Sequence, residues 1–65
     1  MYRFWAKVGK DKTVTYHGHD LITWTAFLDK AYPNWTYFNV YDKKTGVQLA
    51  SFTKNNRPTF RKVQY

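Results

Sequence analysis

The residues whose types and spacing could do chemistry are concentrated in one segment, His17-Gly18-His19-Asp20. In an extended strand, residues two apart point to the same side, so His17 and His19 would present two imidazoles together. A catalytic zinc site needs three protein ligands and one open position, and Asp20 is the neighbouring candidate for the third ligand. Asp20 also precedes an apolar helical pattern, where an aspartate commonly caps the helix. We therefore interpret this segment as a polar turn, without a metal.

Metal-free catalysis has an equally weak basis in the sequence. Two histidines with a lysine could cleave RNA by general acid–base catalysis, but that mechanism places the imidazoles on opposite sides of a phosphate. The chain has four Asp, no Glu and no Cys, which argues against a carboxylate pair and excludes a thiol nucleophile. We expect no cofactor and no enzymatic activity, and a metal-free nuclease using His17 and His19 is the remaining catalytic alternative.

The charge of the chain indicates an anionic partner. Eleven Lys and Arg against four Asp give a formal net charge of +7 over 65 residues, a field that attracts polyanions. No apolar run approaches the ~20 residues that span a bilayer, and the alternating N-terminus is unlike a signal peptide. The sequence predicts a cytoplasmic protein that is a monomer or a weak homodimer and does not bind membranes.

The first half of the chain carries the pattern of a β-hairpin and then of a helix. Residues 2–8 alternate between polar and apolar, and residues 12–17 are rich in β-branched and aromatic side chains, with a Gly-Lys-Asp turn between them. These features predict two paired strands. Apolar residues at helical spacing then predict a helix over residues 21–32, capped by Asp20 and ended by Pro33.

The second half predicts another hairpin. Residues 35–42 alternate and are aromatic-rich, residues 42–46 resemble a type I turn closed by a left-handed Gly46, and residues 47–53 form the returning strand. Residues 54–65 are expected to be either a short fifth strand or a loosely ordered basic tail.

Together these elements predict a single α+β domain of order β-β-α-β-β, in which one helix packs on one face of a twisted, mostly antiparallel sheet. One helix covers only one face of a sheet. A right-handed crossover makes the third strand parallel to the second, so the two hairpin turns lie at opposite ends. Lys10 and Lys12 would then share one end of the sheet with Lys54 and Arg57.

The uncovered face is the first candidate binding surface. Alternation predicts that it carries aromatic rings among cations and small polar residues, namely Arg3, Trp5, Lys7, Thr13, Thr15, His17, Trp35, Tyr37, Asn39 and Tyr41. Rings stack on bases at about 1–3 kcal/mol each while cations hold phosphates. The alternative is that the rings merely pack or form a dimer face, because aromatic residues are common in any half-buried strand.

The second candidate surface is the basic end formed by Lys10, Lys12, Lys54 and Arg57, with Arg61 and Lys62 beyond it. Sequence-independent contact with backbone phosphates suits such a cluster. The alternative is a set of solvated turn tips.

We therefore expect a non-catalytic module for nucleic acid or a nucleotide, held by sheet aromatics and by Lys and Arg. The predicted nucleic-acid-binding residues are Arg3, Trp5, Lys7, Lys10, Lys12, His17, Tyr37, Tyr41, Lys54 and Arg57. The alternative is a small interaction or inhibitor protein, of phage or mobile-element type, whose exposed Trp and Tyr anchor it on an acidic protein surface.

Overall fold

One four-stranded sheet and one helix make up the fold in the computed structural model, which describes residues 1–63. The elements are β1 (Tyr2–Lys7), β2 (Thr13–Gly18), α1 (Leu21–Ala31), β3 (Tyr37–Asp42) and β4 (Gln48–Thr53). The strand order is β2-β1-β3-β4, and every neighbouring pair is antiparallel. The predicted α+β class and β-β-α-β-β order are confirmed, although five of the eight strand boundaries differ from the prediction by one or two residues.

The core lies between the sheet and the helix. Alternate residues of the two central strands face α1, and Phe4, Phe38 and Val40 are each at most 1% exposed. The ring of Trp24 from α1 stacks on Phe4 with a centroid separation of 4.9 Å and an interplanar angle of 5°. Leu28 on the same helix is fully buried. The alternate residues of the strands and the residues on one face of α1 therefore form a single apolar layer.

Both ends of α1 follow from side-chain and backbone chemistry. Asp20 has extended backbone angles, and its Oδ1 accepts hydrogen bonds from the amides of Ile22 at 2.9 Å and Thr23 at 3.0 Å. The predicted N-cap is confirmed. At the other end, Tyr32 is the C-cap and donates its amide to Leu28, one residue before Pro33. The helix thus ends one residue earlier than predicted.

Trp35 was predicted on the open face of the sheet, and that prediction is wrong. The indole is 1% exposed and packs against Phe38 with ring centroids 5.6 Å apart. Its Nε1 donates a hydrogen bond to Asp29 Oδ1 at 3.0 Å. Because β3 begins at Tyr37, Trp35 belongs to the helix–strand connection and the strand alternation does not apply to it. Burial of a large ring with a bonded N–H is favourable.

The segment after β4 crosses the helix side of the sheet. It turns at Thr53–Asn56 and then forms no further strand up to residue 63. The amide of Leu21 donates to the carbonyl of Arg61 at 2.7 Å, and the amide of Val63 donates to the Tyr2 hydroxyl at 3.1 Å. Residues 54–63 are therefore docked; the part of the prediction that concerns residues 64 and 65 lies outside the described residues.

The second hairpin turn is built on Asp42 and Gly46. The Oδ1 atom of Asp42 accepts the amides of Lys44 at 2.8 Å and Thr45 at 3.1 Å. Gly46 has φ of +78°, so the predicted left-handed glycine is confirmed. A β-bulge between Val40 and Tyr41 adjusts the β3–β4 register beside this turn.

Replacement of Gly46 by Ala tests the turn. A Cβ in the left-handed region costs about 1–2 kcal/mol, so we expect the free energy of unfolding to fall by about 1 kcal/mol in urea titrations followed by tryptophan fluorescence. Gly9→Ala is the control, because Gly9 has no positive φ and its added Cβ would lie 3.5 Å from the Lys12 Cβ, an ordinary contact. Equal losses in the two variants would contradict the assignment.

Candidate nucleic-acid interface

The strand registers arrange the open face in three rows. Each row takes one residue from β2, one from β1 and one from β3, all with side chains on the side away from α1. The rows are His17, Arg3 and Tyr41; Thr15, Trp5 and Asn39; and Thr13, Lys7 and Tyr37. The structure therefore brings together six of the ten predicted binding residues on one face, which we call the open-face platform.

The platform is a shallow depression with aromatic walls. Its volume is about 490 Å³, and it is lined by Arg3, Trp5, Thr15, Tyr37, Asn39 and Tyr41. The rings of Trp5 and Tyr37 lie 5.7 Å apart with an interplanar angle of 46°. Both rings and that of Tyr41 are half-buried, so each is held by its neighbours and retains an exposed part. A planar ligand can reach these exposed parts without unfolding the sheet.

Tyr41 is positioned from two sides. The Arg3 guanidinium carbon lies 4.8 Å from the centroid of the Tyr41 ring, and Asn39 Nδ2 donates to the Tyr41 hydroxyl at 3.3 Å. An arginine stacked in this way keeps its N–H groups available for bidentate bonds to an anion. The pair of Arg3 and Tyr41 thus offers a stacking surface and a charged donor at one place.

The platform carries positive charge without a compensating carboxylate. Its cations are Arg3 and Lys7, the His17 imidazole lies beside Arg3, and none of its nine residues is acidic. The two salt bridges within residues 1–63 join Arg57 to Asp29 and Arg61 to Asp20, away from this face. The local electrostatic field is therefore suited to phosphate groups.

Three of the four aspartates have structural roles, which their pKa values reflect. The amide of Thr23, helped by Arg61, lowers the pKa of Asp20. The Arg57 guanidinium and then the Trp35 indole lower the pKa of Asp29. The amides of Thr45 and Lys44 lower the pKa of Asp42. These carboxylates are ionised at neutral pH and bonded within the fold, which suits caps and ion pairs and does not suit general acids.

The segments predicted to form the basic end do lie at one end of the sheet. Lys7 pairs with both Thr13 and Tyr37, and Tyr37 pairs with Thr53, so the first hairpin turn and the segment after β4 lie at the same end of the sheet. Lys10 is exposed in that turn. This spatial expectation from the crossover geometry is met.

The other cations of the basic end already contact the fold. Lys12 Nζ lies 5.4 Å from the Tyr32 ring, Lys54 donates to the carbonyl of Pro33, and Arg57 bonds to Asp29. These partners lie in the last turn of α1 or in the two residues after it, where the helix dipole favours positive charge. Lys12, Lys54 and Arg57 thus stabilise the helix end, and the open-face platform is the stronger candidate site.

The histidine segment does not assemble a metal centre in the part of the chain that the structure describes. His17 joins the row of Arg3, His19 lies in the connection to α1, and Asp20 is occupied by the helix cap and by Arg61. Within residues 1–63, no three His, Cys, Asp or Glu side chains come together in a way that could hold a metal ion. Nor is any helix of these residues long and apolar enough to cross a membrane.

The chain matches no protein-family model, no curated protein and no solved structure. Asn39 and Thr15 line the depression but were absent from the predicted binding set, although the alternation that placed Trp5 and Tyr41 on this face placed them there as well. The position of the docked tail had no local signal in the sequence.

Asp29→Asn tests the structural role of the basic end, because asparagine keeps an oxygen for Trp35 and loses the charge that holds Arg57. The lowered pKa of Asp29 means that its stabilisation is complete above about pH 4 and is lost as the pH falls through the folded-state pKa. We expect the variant to lose less than about 1 kcal/mol at pH 7, since the pair is exposed. The difference should disappear towards pH 2 in urea titrations.

Asp11→Asn is the control for this experiment. It removes the same formal charge from the first turn, where residues 1–63 contain no salt bridge. A stability difference for Asp29→Asn that persists at pH 2, or an equal loss in Asp11→Asn at pH 7, would contradict the role of the ion pair.

Proposed function

We propose that this chain binds single-stranded nucleic acid on the open-face platform, without catalysis. Bases stack on Trp5, Tyr37 and Tyr41, and phosphates bind Arg3, Lys7 and His17. The observation that carries the proposal is the placement of three half-buried rings among cations on a face without a carboxylate. Stacking surfaces combined with uncompensated positive charge are what sequence-tolerant binding of single strands requires.

The shape of the platform favours a single strand over a duplex. Bases in a duplex are already paired and stacked, so aromatic side chains reach the faces of unpaired bases only. Rows two residues apart are separated by roughly 7 Å along a strand, so the three rows extend over roughly 14 Å. This length suits a few nucleotides of one strand. The depression is shallow and has no element that projects into a groove.

The remaining cations extend the electrostatic attraction beyond the platform. Lys10 lies in the exposed first turn, at the end of the sheet that is closest to the row of Lys7 and Tyr37. Lys12 and Lys54 are close to the same end, and Arg57 contributes less because Asp29 neutralises it. We propose that the strand leaves the platform in this direction. The absence of cysteine suits a reducing compartment, and we place the activity in the cytoplasm.

Fluorescence anisotropy with a labelled ten-nucleotide single strand tests the proposal. Trp5→Val removes one ring and keeps strand propensity, and we expect the affinity to fall by about tenfold or more. Phe60→Val is the matched control, because Phe60 is an exposed ring, 58% accessible, on the docked tail, and it should leave the affinity within about twofold.

The salt dependence of the same titration distinguishes cations that contact phosphates from cations elsewhere on the surface. Each phosphate contact on a single strand contributes about −0.7 to the slope of log affinity against log salt, so Arg3→Gln should reduce the slope by about that amount. Lys30→Gln removes an equal charge from the exposed side of α1 and should change the slope less. Equal slopes for the two variants, or a duplex that binds more tightly than the single strand, would refute the platform.

A further inference from the structure

A second surface lies at the outer edge of β2, beside α1. The groove between them, which we call the β2 groove, has a volume of about 300 Å³. It is lined by Phe4, Tyr16, Gly18, Thr23, Trp24 and Phe27 and bordered by His17, His19 and Asp20. Tyr16 and Phe27 are each 38% exposed, and their rings are 5.0 Å apart. Such partly exposed neighbouring rings in an apolar groove favour the docking of another apolar side chain.

The main chain of β2 is open along this groove. The amide of Val8 donates to the carbonyl of Lys12 at 2.9 Å. In an antiparallel pair every second residue bonds to the partner strand, so in this register the even-numbered residues of β2 bond to β1. The N–H and C=O groups of Thr13, Thr15 and His17 therefore point out of the sheet. No main-chain hydrogen bond within residues 1–63 satisfies them. An extended backbone is their natural partner.

The opposite edge of the sheet is less available. On β4, the amide of Thr53 donates to the carbonyl of Asn56 at 3.3 Å, which occupies one end of that edge. The β-bulge between Val40 and Tyr41 interrupts the register at its other end, and bulges disfavour the addition of strands. The regular six-residue ladder of β2 makes it the better template.

The two sides of β2 define the chemistry of the strand that would pair with it. Side chains of an added strand alternate between the two faces of the sheet. Those beside Tyr16 would enter the β2 groove, where apolar residues fit. Those beside Thr15 and His17 would lie on the open face, one strand away from Arg3 and Lys7, where acidic residues fit.

Charge also decides between a peptide and a second copy of this chain. Two copies each carrying +7 repel one another, whereas an acidic strand is attracted. The carboxylate that borders the groove, Asp20, is already bonded to Arg61 and to the amides at the start of α1. Trp24 in the groove wall is 5% exposed, and its Nε1–H has no acceptor in the described part of the chain.

From this geometry we infer that the β2 edge binds an extended peptide in which apolar and acidic residues alternate. The peptide adds a fifth strand to the sheet next to β2. Its main chain bonds to Thr13, Thr15 and His17, and its apolar side chains pack between Tyr16 and Phe27. Main-chain bonds supply affinity and the alternating side chains supply specificity in this mode of recognition.

The probe that tests this inference is a synthetic seven-residue peptide that alternates glutamate with valine or phenylalanine. Amide shifts should move along β2 when the peptide is added. Thr15→Pro removes an N–H that points to solvent, a place where an edge strand tolerates proline, and we expect the affinity to fall by about tenfold or more from the lost bond and the blocked approach. Thr15→Val keeps that N–H and should bind within about twofold of the original chain.

Two further variants keep the test decisive. Ser51→Pro makes the same change on the β4 edge, where Ser51 pairs with Asn39, and should not affect the peptide. Phe27→Ala shortens the groove wall without touching the strand and should lower the affinity about fivefold or more, which decides the matter if Thr15→Pro fails to fold. Undiminished binding by Phe27→Ala and Thr15→Pro, or equal binding of a peptide with its glutamates grouped together, would overturn the inference.

Discussion

The structure depends on one constraint, which is that a single helix has to cover a four-stranded sheet. The axes of the outer strands are roughly 14 Å apart, and a helix with its side chains is about 10–12 Å wide. The rings of α1 reach β2, β1 and β3 through Tyr16, Phe4 and Phe38. The apolar side of β4 is beyond their reach. Phe52 of that strand packs against Phe38, with ring centroids 5.4 Å apart, and lies beside the docked tail.

Because α1 alone does not cover the whole sheet, two aspartates are used to fix other segments over it. The connection after α1 and the tail after β4 are irregular segments, and side-chain bonds fix them to the helix. Asp29 holds Trp35 and Arg57, and Asp20 holds Arg61. Two of the four carboxylates in the chain are thus committed to the helix side of the molecule. The platform retains Arg3 and Lys7 without ionic partners among the described residues, so the needs of folding themselves produce a positive open face.

The sequence predicted what depends on local periodicity and failed where distant residues decide. Alternation placed Trp5 and Tyr41 on the open face because both lie inside strands with a strict period of two. The same rule misplaced Trp35, which lies two residues before β3 begins and whose bond to Asp29 has no local signature. The basic end was located correctly from the crossover, but the pairing of Arg57 with Asp29, 28 residues away, had no local signal. The β2 groove depends on packing between elements and could not be predicted.

The two proposed sites share β2, and this sharing has a thermodynamic consequence. A peptide strand added to β2 places its acidic side chains on the open face, near Arg3 and Lys7, the cations that the platform offers to phosphate. Each ligand then lowers the charge that attracts the other, and the coupling has to be equal in both directions because binding free energies are linked. Stacking on Trp5 and Tyr37 does not involve this charge, so a peptide weakens phosphate contact more than base stacking. The open face and the β2 edge would therefore act as competing sites on one sheet.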